Sequence, residues 1–183
     1  MGVDMIGFTL DENHPRFIEL TTARDITNWI SGVEVVGEFT GINIPNIDYL
    51  AKELNMDYIQ VAHPFDLHQT SHLHKPVIMK ISYERGHEDA AEHILKTYKD
   101  LVKYFLIESE SDLKFDEVAD LFRKWAAEYP LLIGTGIEIS KLDSILQDIR
   151  PMGIALKGGD EIKPGLKNFD ELSEILEHLE SED

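Results

Sequence analysis

The sequence predicts an α/β protein built on a parallel sheet. Seven short apolar runs recur along the chain, amphipathic stretches of helical period lie between them, and no low-complexity linker interrupts the alternation. Strands separated by helices need crossover connections and therefore pair in parallel, which leaves either an open doubly wound sheet or a closed barrel. In both, ligands gather where the strands run out at their C-terminal ends.

In chain order, the expected strands are 3–9, 33–40, 58–62, 77–81, 104–108, 131–134 and 153–156, each a run of apolar and β-branched residues of strand length. Helical spacing of apolar residues marks 46–54 and 89–98. Pro45 sits near the entry of the first, and a Ser- and Asp-rich stretch precedes a third helix over 115–127. The connection 63–75 is the least regular. The acidic tail 171–183 carries Leu172, Ile175, Leu176 and Leu179 on one face, as expected of a final helix with its other face solvated.

The 183 residues, 43% hydrophobic and 28% charged, fit one domain over 1–183 with a substantial core. Lys and Arg number 17 against 35 Asp and Glu, a formal charge of −18 that repels phosphate backbones and anionic lipid headgroups. Neither nucleic acid nor a membrane is an expected partner. The sequence holds no cysteine, so disulfides, thiolate metal sites and a cysteine nucleophile are excluded within it. No uncharged stretch approaches the roughly 20 residues that span a bilayer, and a cytoplasmic location is expected.

Several segments together resemble the phosphoribosylanthranilate isomerase family. Met5-Ile6-Gly7-Phe8 followed by His14-Pro15-Arg16-Phe17-Ile18 is similar to the family's GFxFxxxSPRYV, and Val35-Val36-Gly37-Glu38-Phe39 to its VGVFV strand. The run from Asp57 to His63 is similar to VQLHG with one residue inserted before the histidine. Leu132-Ile133-Gly134-Thr135-Gly136-Ile137 resembles the LAGGL turn, and the stretch from Arg150 to Lys167 resembles RPxGVDVSSGVE followed by xPGxKD. The resemblance implies a TIM-type (β/α) barrel, here shortened to about seven βα units, because this sequence starts at the family's second strand. It also implies an Amadori rearrangement in tryptophan biosynthesis, an intramolecular aldose-ketose isomerisation. The family's cysteine base, in KxCGI on the first strand, has no counterpart in these residues. Its aspartate acid, in LLD, is matched by Glu108, and the glycine-rich loop that follows is replaced by Ser109-Glu110-Ser111-Asp112.

The rearrangement needs an acid and an opposed base. Glu108 is the candidate acid, and no base is recognised. Glu38, His63 and Lys80 end expected strands, with His63 and Lys80 taken as substrate-binding; they either line one mouth or simply pair ions among themselves. Arg16 aligns with the arginine expected to hold a substrate carboxylate, the alternative being a surface salt bridge. Gly134, Thr135 and Gly136 on one loop, with Lys157, Gly158 and Gly159 on the other, are expected to cradle phosphate, the alternative being two ordinary tight turns. His63, His68, His72 and His74 match no fixed metal motif, so no metal and no cofactor are expected.

Three functions follow from these residues. The first is a repurposed relative that binds a phosphorylated small molecule without normal isomerase activity. The others are an active isomerase using Glu108 and an unrecognised base, and a structural protein with an inherited fold. A homodimer is also expected, through the gap left by the absent first strand.

Overall fold

The computed structural model describes residues 2–40, 44–67, 73–111, 113–158, 161–163, 166–167 and 169–181. The elements are β1 (Met5–Thr9), α1 (Leu20–Trp29), β2 (Glu34–Phe39), α2 (Ile44–Glu53), β3 (Tyr58–Ala62), β4 (Val77–Ser82), α3 (Glu88–Tyr98), β5 (Tyr104–Glu108), α4 (Phe115–Glu128), β6 (Leu131–Ile133), α5 (Leu142–Ser144), β7 (Gly153–Ile154), β8 (Glu161–Lys163), β9 (Leu166–Lys167) and α6 (Asp170–Ser181). A 3₁₀ turn (Ile139–Lys141) and a π turn (Ile145–Ile149) flank α5.

The strand order is consecutive from β1 to β7. A doubly wound sheet reverses its order at a switch point, whereas consecutive parallel strands with intervening helices have the topology of a TIM-type (β/α) barrel, here with seven strands. The seven expected strands all form, although the last stops at Ile154. Two features lie outside the sequence expectation. Helix α1 forms around the buried Ala23, and β8 and β9 pair antiparallel.

The chain divides into two compact units, one of residues 3–81 and 92–105 and the other of 1–2, 82–91 and 106–183. In the first, β1, β2, β3 and β4 pair in parallel. Their helix-facing row includes the buried Phe8, Val35, Phe39, Ile59, Val61, Met79 and Ile81, and α2 with the turn after it contributes Ile47, Ala51 and Leu54. Helix α2 ends where Asn55 takes φ +49°, a left-handed conformation asparagine tolerates, and Met56 N then donates to Ala51 O. In the second unit, α4 buries Phe115, Val118, Phe122 and Trp125. Tyr83, Phe122 and Trp125 form an aromatic cluster with centroids 5.5 to 6.0 Å apart, two of the pairs edge-on, as the ring quadrupoles favour.

Candidate functional site

In the unit holding β1 to β4, strand registry decides which polar side chains share a face. Thr9 pairs with Glu38, Glu38 with Gln60, and Ala62 with Lys80. Alternation along a strand then puts Thr9, Glu38, Gln60 and Lys80 on one side of the sheet. Thr9 Oγ1 donates to Glu38 Oε2 at 2.9 Å. The Glu38 carboxylate lies across Gly7 so closely that a Cβ there would collide with it, so only glycine admits this placement.

His63 does not join that row. It follows Ile59 and Val61 in alternation, on the helix-facing side, and its ring lies edge-on to Tyr98 of α3 with centroids 6.3 Å apart. Burial pulls the imidazole pKa below its usual 6.5. Registry of β3 with β4 is continuous from Ile59 to Ala62, and Ala62 stands beside Lys80 on the polar side.

Arg16 stands on the ordered loop between β1 and α1. Ile18 N donates to Thr9 O and Phe17 N to His14 O, both at 2.9 Å, and Arg16 N donates to His14 Nδ1 at 3.1 Å. Its side chain is exposed and makes no ion pair among the described residues. The organiser of this loop is Asp11, which sequence reasoning missed. Only 4% exposed, it accepts the Thr40 hydroxyl at 2.5 Å and Asn13 N at 3.0 Å. The Thr40 bond foremost, then that from Asn13, holds its carboxyl below the usual carboxylate range. The signal was present, since an aspartate just past an apolar strand with asparagine two residues on is turn chemistry.

The second unit collects the loops after β4, β5, β6 and β7. Glu108 ends β5, and its Oε2 lies 2.8 Å from Lys157 Nζ. The carboxylate side chain is 12% exposed and the lysine 43%, so the pair sits at the edge of solvent with the acid on the inner side. Gly134 packs on this carboxylate, since a Cβ there would lie 3.0 Å from Glu108 Cγ, and Gly134 N donates to Ile107 O at 2.8 Å. Gly136 takes φ +67° and packs on the backbone leading into α4, where a Cβ would come 3.1 Å from Leu113 O. Thr135 between them is half-buried, as is Gly158 beside Lys157. Gly159 lies outside the described residues.

The replaced glycine loop is ordered by a carboxylate from the preceding connection. Glu84 Oε1 accepts Ser109 Oγ at 3.2 Å and Glu110 N at 3.4 Å, while Ser109 Oγ and Ser111 Oγ lie 2.8 Å apart. These donors, the Ser111 hydroxyl foremost, hold the Glu84 carboxyl below its usual range.

Among the described residues no three His, Cys, Asp or Glu side chains converge as a metal site. His74 Nδ1 lies 3.2 Å from Asp48 Oδ1, and His68 and His72 lie outside the described residues.

Residues 2–178 match the family model described as N-(5'-phosphoribosyl)anthranilate (PRA) isomerase. A relative of that name from Synechococcus sp. (strain JA-2-3B'a(2-13)) is 25% identical over 100% of this chain and 83% of its own length. The structure of phosphoribosyl anthranilate isomerase from Thermotoga maritima aligns with a TM-score of 0.81 at 20% identity, over 98% of this chain and 89% of the other. Another phosphoribosyl anthranilate isomerase, solved with reduced 1-(o-carboxyphenylamino)-1-deoxyribulose 5-phosphate, aligns with a TM-score of 0.77 at 19% identity, over 98% and 89%.

Proposed function

The chain belongs to the N-(5'-phosphoribosyl)anthranilate isomerase family, and on that premise we propose that these 183 residues bind a phosphorylated small molecule without normal isomerase turnover. The observation that carries the proposal is the convergence of the Gly134 loop and Lys157 on one point at the strand ends. Gly134 to Gly136 allow backbone N–H groups to approach an oxyanion closely, and Lys157 with Gly158 after it brings a positive charge. Separately, in the unit that holds β1 to β4, Arg16 has no ion pair among the described residues and is the candidate group for a carboxylate.

Turnover is a different matter. Glu108, which resembles the family's acid in sequence, has its carboxylate engaged by Lys157, and no opposed base is recognised. Loss of one proton-transfer group commonly lowers the rate on the order of 10²-fold to 10⁴-fold. The test is conversion of phosphoribosylanthranilate by the 183-residue protein, measured beside the Thermotoga maritima enzyme. A rate at least ~10²-fold lower is expected, and a comparable rate would overturn the proposal.

One observation favours the active reading. Glu38 lies over Gly7 on the polar strand face and accepts the Thr9 hydroxyl there, which is a suitable setting for a base. If turnover is comparable and Glu38→Gln abolishes it, that reading replaces the first.

The same proposal includes a cytoplasmic homodimer. Among the described residues no helix is long and apolar enough to cross a membrane. β1 ends the strand order. Asp4 O and Leu10 N bond to the β2 strand, so by alternation Met5 and Gly7 turn their N–H and C=O groups to the other side. Gly7 is exposed, and no charge or proline protects residues 5–9. Antiparallel pairing with the same edge of a second copy, about a two-fold axis, satisfies these groups.

A further inference from the structure

We propose that Arg123 and Arg150, which line one cavity between α4 and the π turn, form an oxyanion site that takes a phosphate group. The site stands apart from the Gly134 and Lys157 loops. Those loops follow the C-terminal ends of β6 and β7, whereas the end of α4 and the π turn lead into the starts of the same strands, at Leu131 and Gly153.

The π turn packs on α4, and the cavity between them has a volume of about 540 Å³. Ala126, Ala127 and Ile149 form its apolar wall, and the short alanine side chains leave the two arginines open to a ligand. Both guanidiniums are anchored on the turn. Arg123 Nε donates to Asp148 O at 3.3 Å, and Arg150 Nε donates to Gln147 O at 3.0 Å. Carbonyls of successive residues therefore hold two positive groups side by side. Arg150 is also fixed by its backbone, since it takes φ +56° and its N–H closes the turn on Ile145 O at 3.2 Å. An arginine adopts that left-handed conformation at some cost, so the direction in which its side chain leaves the turn is set by the fold.

Carbonyls at the end of a turn commonly attract a basic side chain. A second one beside it adds repulsion between like charges, which an anion relieves. The chain has 35 acids to 17 lysines and arginines, yet Arg150 has no acidic partner among the described residues. Arg123 has one, Asp120 at 2.5 Å, three residues earlier on the same helix. That carboxylate is 97% exposed, so the pair is of the weak surface kind. Arg123 Nη2 and both Nη atoms of Arg150 make no hydrogen bond among the described residues. The ligand class follows from charge and shape. A carboxylate offers one charge and two oxygens, enough for one guanidinium fork, whereas a phosphate monoester offers nearly two charges and three oxygens, enough for two.

The experiment is a titration of the 183-residue protein with inorganic phosphate at constant ionic strength, followed by backbone amide shifts of 145–150 and of 134–136. Saturable shifts at 145–150 are expected at millimolar phosphate. Arg123→Ala and Arg150→Gly should each weaken that binding by roughly tenfold, the order of one charge-assisted hydrogen bond. Glycine accepts φ +56° without strain, so Arg150→Gly removes the guanidinium and keeps the turn. Arg150→Lys keeps the charge but not the fork, and should weaken binding by a smaller factor; it decides the matter if Arg150→Gly does not fold. Asp148→Asn, which removes the acid on the cavity wall, should tighten binding. No saturable shift at 145–150, equal affinity in wild type and the arginine variants, an equal response to acetate, or loss of the response in Lys157→Ala overturns the inference. Saturable shifts at 145–150 with none at 134–136 would instead overturn the phosphate reading of the Gly134 loop and leave this site standing.

Discussion

Lys157→Ala tests the phosphate reading most directly. A phosphate oxygen that takes up the 2.8 Å separation now held by Glu108 puts the phosphorus about 4 Å from the ammonium nitrogen. At that distance two unit charges attract by about 1 kcal/mol in bulk water and about 4 kcal/mol at the effective dielectric near a protein surface. Because Lys157 is 43% exposed, the contribution lies between these limits. Taking about 2 kcal/mol gives roughly a 30-fold loss of affinity. The loss is deepened by Glu108, which is 12% exposed and would then face the ligand without its counter-charge. Isothermal titration with ribose 5-phosphate at about 0.1 M salt is suitable, since a contact this short is little screened by a Debye length of about 10 Å. Glu108→Gln should move affinity the other way by freeing the lysine. A change under about threefold for Lys157→Ala, where 30-fold is expected from the Coulomb attraction, would refute the reasoning.

Three further outcomes are expected. Gly136→Ala forces a side chain into φ +67° and against Leu113 O, and should lower unfolding stability by about 1–3 kcal/mol in urea while weakening phosphate binding. The Asp11 pKa is depressed in the fold, so its contribution is present above the ordinary carboxylate value of 3.8 and lost as pH falls through the lower folded value; Asp11→Asn should remove that part of the acid sensitivity below about pH 4, read from unfolding midpoints against pH. Sedimentation at micromolar concentration should show a dimer of the 20.9 kDa chain, and Met5→Pro, which removes an outward N–H at the start of β1, should shift it to monomer, while a clean wild-type monomer would end the β1-edge proposal.

Much of the fold was legible because its signals are local. A period of two or 3.6 is written within a few residues, so the apolar runs and amphipathic stretches located the seven strands and α2, α3, α4 and α6. Helix α1 was not singled out because LTTARDITNW mixes β-branched and polar residues around one small buried alanine. The glycine at 136 was legible as a turn residue, and the structure adds that its backbone contact with Leu113 leaves no room for a side chain.

The sequence by itself determined the seven strands of the main sheet, their parallel pairing and the positions of Glu38, Lys80 and Glu108 toward strand ends, since each follows from patterns a few residues long. Tertiary structure alone decided their partners. Register put Glu38 beside Thr9 and turned His63 to Tyr98, because one residue along a strand reverses the face a side chain meets. Loop paths brought Lys157 to Glu108 and Glu84 to the 109–111 turn, joining residues far apart in the chain for which no periodic signal exists. A charge in the sequence has no partner until the backbone supplies one, which is why the candidate residues were visible in the sequence and their pairings were not.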